Sequence, residues 1–146
     1  MEAPSTQRLV LIVEDNPEHA RLIQTAFGQN AGGPQMVAIA DGNQALDFLH
    51  RRGSYSNAPR PDLILLDLNL PGRNGQEVLS EIKADSQLKR IPIIVLTASA
   101  SETDIFRTYA LQGNCYVIKS SDLEQLFQIV RRIEEFWLGI VTLPVE

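Results

Sequence analysis

Five polar side chains with complementary chemistry follow short apolar runs in this sequence. Glu14 and Asp15 come directly after the first run, and Asp67 follows the third. Thr97 ends the fourth run, and Lys119 follows the fifth. Three carboxylates, a hydroxyl and an ammonium group are the functional groups that a site for a divalent cation and a phosphoryl group requires.

The three carboxylates favour a bound cation, because clustered negative charges repel one another unless a hard divalent ion lies among them. Mg²⁺ is the predicted ion. A carboxylate can also attack a phosphoryl group and form an aspartyl-phosphate, while Lys119 and Thr97 neutralise the phosphoryl oxygens. Taken singly, the acidic residues could cap helices and Lys119 could be a surface lysine. Their joint placement favours a site.

The apolar runs predict five strands that are covered on both faces, because they do not alternate with polar residues. They lie at 9–13, 36–40, 63–66, 93–96 and 116–118. A segment with helical periodicity follows each run, which predicts a βα unit repeated five times, right-handed crossovers and a doubly wound parallel sheet of the α/β class. Ligands bind at the carboxyl edge of such sheets, where the five polar residues are expected.

Two of the helical segments carry predictions about single residues. In the fourth, Ile105, Phe106, Tyr109 and Ala110 are predicted to share the buried face. In the first, His19 has the spacing of the apolar face, and it is interpreted as a packed or surface histidine rather than a ligand.

Composition excludes several functional classes. The chain has 146 residues, 44% of them apolar and 21% charged, and a formal net charge of -5. These values predict one globular domain with no general attraction for nucleic acid or membrane surfaces. The single cysteine, Cys115, cannot form an intrachain disulfide. No apolar run approaches the roughly 20 residues of a membrane span, and the N-terminus does not resemble a signal peptide, so we expect a cytoplasmic protein.

The sequence resembles the receiver domains of two-component response regulators from about residue 9 to about residue 138. The matching motifs are Glu14-Asp15-Asn16, Asp67-Leu68-Asn69-Leu70-Pro71-Gly72, Thr97-Ala98 and Lys119. It is more similar still to the single-domain regulators that pair with bacterial and cyanobacterial phytochromes. That similarity lies in four segments, 45–49, 52–55, 58–62 and 136–138.

The resemblance implies a flavodoxin-like fold with strand order 2-1-3-4-5. It also implies that Asp67 accepts a phosphoryl group from a sensor histidine kinase, here of the phytochrome type. Asp15 and Asp67 would ligate Mg²⁺, with Glu14 acting directly or through water and the backbone carbonyl of Asn69 as a further ligand.

At the remaining positions the resemblance implies that Thr97 and Lys119 bind the phosphoryl group. Thr97 and Tyr116 would form the switch, with the hydroxyl and the aromatic ring moving inward after phosphorylation. One departure concerns the peptide bond after Lys119, because the family usually has a cis proline there and this chain has Ser120. A cis bond before a non-proline residue costs about 2.5–4 kcal/mol. The sequence therefore leaves open whether this bond is trans and whether Lys119 keeps its position.

The predicted organisation is an N-terminal extension (1–8), a receiver domain (9–138) and an apolar C-terminal arm (139–146). The length leaves no room for an output domain, so we expect the protein to act through interactions rather than as an enzyme. We expect a homodimer formed by the last helix, the fifth-strand face and the arm, with folding of the arm onto its own domain as the alternative. The expected interface residues are Phe136, Trp137, Leu138, Ile140, Val141 and Leu143.

Two other functions remain open. An aspartate-nucleophile phosphatase would need an acid two residues after Asp67, where this chain has Asn69. A receiver-like interaction module that is not phosphorylated would be compatible with Ser120 after the lysine.

Overall fold

One parallel sheet of five strands organises the part of the chain that the structure, a computed structural model, describes: residues 7–28 and 33–144. The strands are β1 (Leu9–Val13), β2 (Gln35–Ile39), β3 (Leu63–Leu66), β4 (Ile93–Thr97) and β5 (Cys115–Ile118). The helices are α1 (Pro17–Phe27), α2 (Gly42–His50), α3 (Gly75–Ala84), α4 (Glu102–Ala110) and α5 (Leu123–Glu134). A 3₁₀ turn covers Gly53–Tyr55, and a π-helical segment, Glu135–Ile140, continues α5.

The sheet has the order β2-β1-β3-β4-β5, and every neighbouring pair is parallel. The expected doubly wound fold and its strand order are therefore confirmed. Each of the five apolar runs forms a strand. The two edge strands begin one residue earlier than the runs, at Gln35 and Cys115.

Both faces of the sheet are covered, as the continuous apolar runs predicted. Leu11 and Val13 of β1 pack in the core cluster that includes residues of α2 and α3. Val10 and Ile12 pack in the opposite cluster, which includes residues of α1 and α5. Because successive side chains point to opposite faces, a strand buried on both sides has no polar positions. Burial of each such aliphatic side chain contributes about 1.5–3 kcal/mol to the stability of the folded state.

Side-chain caps start the helices close to the carboxyl edge of the sheet. The Asn16 side chain accepts hydrogen bonds from the backbone N–H groups of Glu18 and His19, and Pro17 is the first residue of α1. The Asp122 side chain accepts from two backbone N–H groups at the start of α5. Such caps satisfy N–H groups that the helix leaves unpaired. They also fix α1 directly after the Glu14-Asp15 pair.

The predicted buried face of α4 is wrong. Thr108 is the buried residue of this helix, Ile105 is half-buried, and Phe106 and Tyr109 are 72% and 51% exposed. The reason is the position of α4, which contacts α3 and the edge strand β5. A helix at the edge of a sheet buries a narrow stripe, so apolar periodicity alone did not identify the buried side.

The C-terminal segment from residue 139 is expected to form an apolar arm that packs against a second copy, with folding onto its own domain as the alternative. The helical backbone continues without a break across the predicted boundary at residue 139. Trp137 and Leu138 are half-buried against the α1–α5 core cluster, whereas Phe136 and Ile140 are 50% and 74% exposed. Leu143, expected in a dimer interface, is buried within the single chain at 4% exposure. Residues 145 and 146 of the predicted arm, and residues 1–6 of the predicted extension, lie outside the described residues.

Among the helices of the described ranges, none combines the length and apolar character that a membrane span requires.

Gly75 allows α3 to begin directly against Asp67. A Cβ atom at this position would overlap the carbonyl oxygen of Asp67 and would come within 2.5 Å of the Cα atom of Leu68. The Gly75 N–H donates to the Leu68 carbonyl at 2.9 Å. The backbone that carries Asp67 and the start of α3 therefore approach more closely than any side chain would permit.

We predict that Gly75→Ala lowers the free energy of unfolding by about 1–3 kcal/mol, because the added methyl group overlaps backbone that has little room to move. Urea unfolding would measure the change. Gly139→Ala is the control, since a Cβ atom there meets nothing within 4 Å, and we expect it to be neutral or slightly stabilising. Equal effects of the two substitutions would contradict the prediction.

Candidate functional site

The sheet itself brings Glu14, Asp67 and Lys119 to one edge. Each follows the last residue of its strand, and each donates its backbone N–H to the final carbonyl of a neighbouring strand, at 3.0, 3.0 and 2.7 Å respectively. Thr97 is the last residue of β4. Because these positions continue the hydrogen bonding of the sheet, the functional side chains start from a rigid backbone.

Asp67 lies at the centre of the site and is 5% exposed. One carboxylate oxygen, Oδ1, accepts from the Thr97 hydroxyl at 3.0 Å and from the Asn69 N–H at 2.9 Å. The other, Oδ2, accepts from the Lys119 ammonium at 2.8 Å. Three donors thus fix the orientation of one buried carboxylate, as expected for a group that must be placed accurately to react.

The Lys119 ammonium joins the carboxylates. Its Nζ atom lies 2.7 Å from Glu14 Oε1 and 2.8 Å from Asp67 Oδ2, and the side chain is 4% exposed. Burial alone would lower the pKa of Lys119. Its hydrogen bonds to Asp67 and Glu14, together with their charges, outweigh burial and raise the pKa above its ordinary value. The lysine therefore remains charged at neutral pH.

The Lys119–Ser120 peptide bond is trans, and the lysine nevertheless reaches its expected partners. Ser120 turns the chain toward α5: its hydroxyl donates to the Gln125 side chain at 2.8 Å and accepts from the Asp122 N–H at 3.1 Å. The sequence had left the position of Lys119 open. The structure places it between two carboxylates without a proline after it.

The environment of Glu14 raises the pKa of its carboxyl group. Burial raises the pKa of Glu14 from 4.5 to about 6, and the neighbouring charge of Asp67 acts in the same direction. The hydrogen bond from Lys119 opposes both effects. Oε2 of Glu14 accepts from the Asn16 N–H at 3.1 Å. A carboxylate in this environment gains most when a cation enters the site.

The three carboxylates lie together as a possible metal-binding cluster, as the sequence predicted. Among the described residues, Glu14, Asp15 and Asp67 each offer one carboxylate oxygen, and the three atoms lie within 4.8 Å of one another. Asp15 is exposed, whereas the other two are buried. Three carboxylates against one ammonium leave two uncompensated negative charges. A divalent cation balances them, and Mg²⁺ prefers oxygen ligands of this kind, so the donor set fits the predicted ion.

The two predicted switch residues make different contacts. Thr97 is fully buried and its hydroxyl is bound to Asp67. Tyr116 is half-buried on β5, and its hydroxyl donates to the Ser99 carbonyl at 2.8 Å. The Tyr116 backbone N–H donates to the Tyr109 hydroxyl at 3.1 Å. These contacts connect the loop after β4, the edge strand and α4.

The structure also adds one residue that the sequence reasoning did not place in the site. His19 Nδ1 lies 3.0 Å from Lys119 Nζ. Its position four residues after Asp15, in the first turn of a helix that starts at the site, was the available signal. The contact joins residues that are 100 positions apart, and no local pattern reports such a pair.

Comparison with known proteins agrees with this geometry. Residues 10–131 match the model of the response regulator receiver domain. Response regulator Rcp1 of Synechocystis sp. is 47% identical over 137 residues, which cover 94% of this chain and 93% of Rcp1.

Two solved structures are also similar. The phosphorylated cyanobacterial phytochrome response regulator RcpA has a TM-score of 0.94 and 52% identity, covering 96% of this chain and all of RcpA. The Mn²⁺-bound form of Rcp1 has a TM-score of 0.92 and 47% identity, covering 94% of this chain and 99% of Rcp1. With the receiver fold, the acidic cluster and these relatives, the chain belongs to the response regulator receiver family.

Proposed function

We propose that this response regulator accepts a phosphoryl group on Asp67 from a sensor histidine kinase. The observation that carries the proposal is the arrangement around this carboxylate: the Lys119 ammonium and the Thr97 hydroxyl contact its two different oxygens, at 2.8 and 3.0 Å. The same two donors are therefore beside the position that a phosphoryl group on Asp67 would occupy.

In the proposed transfer, an Asp67 oxygen attacks the phosphorus atom as the bond between phosphorus and the histidine nitrogen of the kinase breaks. Lys119 and Thr97 donate hydrogen bonds to the phosphoryl oxygens, whose charge must be neutralised in the transition state. Glu14, Asp15 and Asp67, together with the Asn69 carbonyl, would hold Mg²⁺. A bound ion would supply positive charge at the transferring group.

The partner we propose is a kinase of the phytochrome type. The support is the set of relatives, since RcpA is a cyanobacterial phytochrome response regulator.

We propose a cytoplasmic signalling protein that acts by contact with other proteins rather than by substrate turnover. Thr97 contacts Asp67, and Tyr116 joins the loop after β4, at Ser99, to Tyr109 of α4. This set of contacts gives phosphorylation a route to the protein surface.

Asp67→Asn should abolish phosphorylation while the fold is kept. Wild type incubated with Mg²⁺ and acetyl phosphate should gain one phosphoryl group, measured by intact mass and by a phosphate-affinity gel. Asp47→Asn is the matched control, because Asp47 lies on α2 and pairs with Arg52 at 3.5 Å, outside the site. We expect it to be phosphorylated like wild type.

A folded wild-type protein that takes no phosphoryl group from acetyl phosphate or from a phytochrome-type kinase would contradict the proposal. That result would favour the alternative of an interaction module that is not phosphorylated.

Metal affinity should fall as the pH is lowered through about 6. Below the raised pKa of Glu14, about 6, a cation must displace a proton from this carboxyl group, whereas above it the ligand is already ionised. Titration calorimetry with Mn²⁺ between pH 5.5 and 8 would measure the dependence. Glu14→Gln should bind more weakly and should lose most of the dependence in this range, and a wild-type affinity constant across it would contradict the prediction.

We further propose a homodimer that uses the exposed apolar residues of the π-helical segment. Phe136 and Ile140 are 50% and 74% exposed, which is unusual for large apolar side chains so close together. Trp137, Leu138 and Val141 are half-buried and would contribute at the rim. Leu143 is already buried in its own chain, so it would support the segment rather than meet a partner.

Ile140→Asp should convert the dimer to a monomer, because it places a charge in the proposed interface at a position where it costs the monomer little. Analytical ultracentrifugation would measure the change. Ser80→Asp, an equal charge on the exposed side of α3, is the control and should remain dimeric. A monomeric wild type, or a dimer unchanged by Ile140→Asp, would contradict the proposed interface.

A further inference from the structure

All three N–H donors of the Lys119 ammonium have a partner within the protein. Nζ lies 2.7 Å from Glu14 Oε1, 2.8 Å from Asp67 Oδ2 and 3.0 Å from His19 Nδ1. An ammonium group donates and does not accept. Nδ1 of His19 therefore has to be the unprotonated nitrogen, so the imidazole is neutral and carries its hydrogen on Nε2.

The start of α1 holds His19 in this position. The backbone N–H of His19 donates to Oδ1 of Asn16 at 3.2 Å, within the cap that begins the helix immediately after Asp15. The side chain is half-buried. Burial lowers the pKa of His19, and the positive charge of Lys119 lowers it further, against smaller opposite effects of Glu18, Asp67 and Asp15. The neutral form is thus the expected form at neutral pH.

The three partners of Lys119 differ in how readily they can be exchanged. Two are carboxylates, whose charge-assisted hydrogen bonds to an ammonium are short and strong. The third is a neutral nitrogen at the longest of the three distances. When phosphoryl oxygens arrive beside Asp67, they carry negative charge and are better acceptors than a neutral imidazole. The bond to His19 is then the one that Lys119 loses at the lowest cost.

We infer that His19 is a positioning residue for phosphoryl transfer, whose neutral Nδ1 aims the third N–H of Lys119 and releases it to the incoming phosphoryl oxygen. The inference rests on the proposed function of Asp67. It assigns to His19 a role that acts through Lys119, with no bond of its own to the transferred group.

Two substitutions of His19 distinguish the effect of its hydrogen-bond acceptor from the effect of its side-chain volume. His19→Asn keeps an acceptor, because its Oδ1 atom occupies about the place of Nδ1, whereas His19→Leu fills similar space and accepts nothing. We expect His19→Leu to slow phosphorylation by acetyl phosphate about fivefold, because the third N–H of Lys119 is then no longer oriented before the phosphoryl group arrives. His19→Asn should stay within about twofold of wild type.

The chain offers a matched control in its other histidine. His50 lies at the end of α2 and faces Asp85, with Nδ1 3.6 Å from the carboxylate. His50→Leu should phosphorylate like wild type. A long-range ¹H–¹⁵N spectrum of unphosphorylated wild type should show His19 protonated on Nε2 and unprotonated on Nδ1, and thermal melts followed by circular dichroism would verify that each variant is folded.

The outcomes distinguish this inference from the proposed function. If wild type is phosphorylated and His19→Leu matches it, or if His19→Asn is as slow as His19→Leu, the positioning role is overturned. A spectrum with the proton on Nδ1 would overturn it as well. If no variant, including wild type, forms an Asp67-dependent product, the proposed function itself fails and the inference fails with it.

Discussion

The interaction on which this site depends is the buried ion pair network of Lys119. The lysine is 105 residues from Glu14 and 52 from Asp67, so it connects three of the five strands at one edge of the sheet. Burying an ammonium or a carboxylate alone is expensive, and each is tolerated here because the others are within hydrogen-bond distance. The network still carries excess negative charge, and burial, with the charge of Asp67 acting in the same direction, raises the pKa of Glu14 to about 6.

The parallel sheet makes this network possible, because its strands end at the same edge and their backbones are held by buried neighbours. The close approach of Gly75 to Asp67 extends the rigid region into the start of α3. The opposite holds for α4, which buries little and faces solvent with Phe106 and Tyr109. The site residues thus lie on rigid backbone, next to a helix that buries little surface. This arrangement suits a protein in which a local change of charge must change the conformation of an exposed surface.

The sequence was a good guide wherever a short pattern determined the structure. Five apolar runs predicted five strands, and the residues that follow them lie together as expected. It was a poor guide where the outcome depended on distant contacts. The buried side of α4 follows from its place beside an edge strand, and the burial of Leu143 follows from how the C-terminal segment turns. The contact between His19 and Lys119 depends on the order of the strands, which neither residue encodes locally.

The position of Tyr109 has a consequence for how copies of this protein can meet. β5 is an outer strand, and the outward N–H of such a strand is normally free to pair with a strand of another molecule. Here the N–H of Tyr116 is already bound to the Tyr109 hydroxyl. A second chain could extend the sheet at this point only by displacing that phenol. At this position the outer strand is therefore blocked against the edge-to-edge pairing that leads to aggregation.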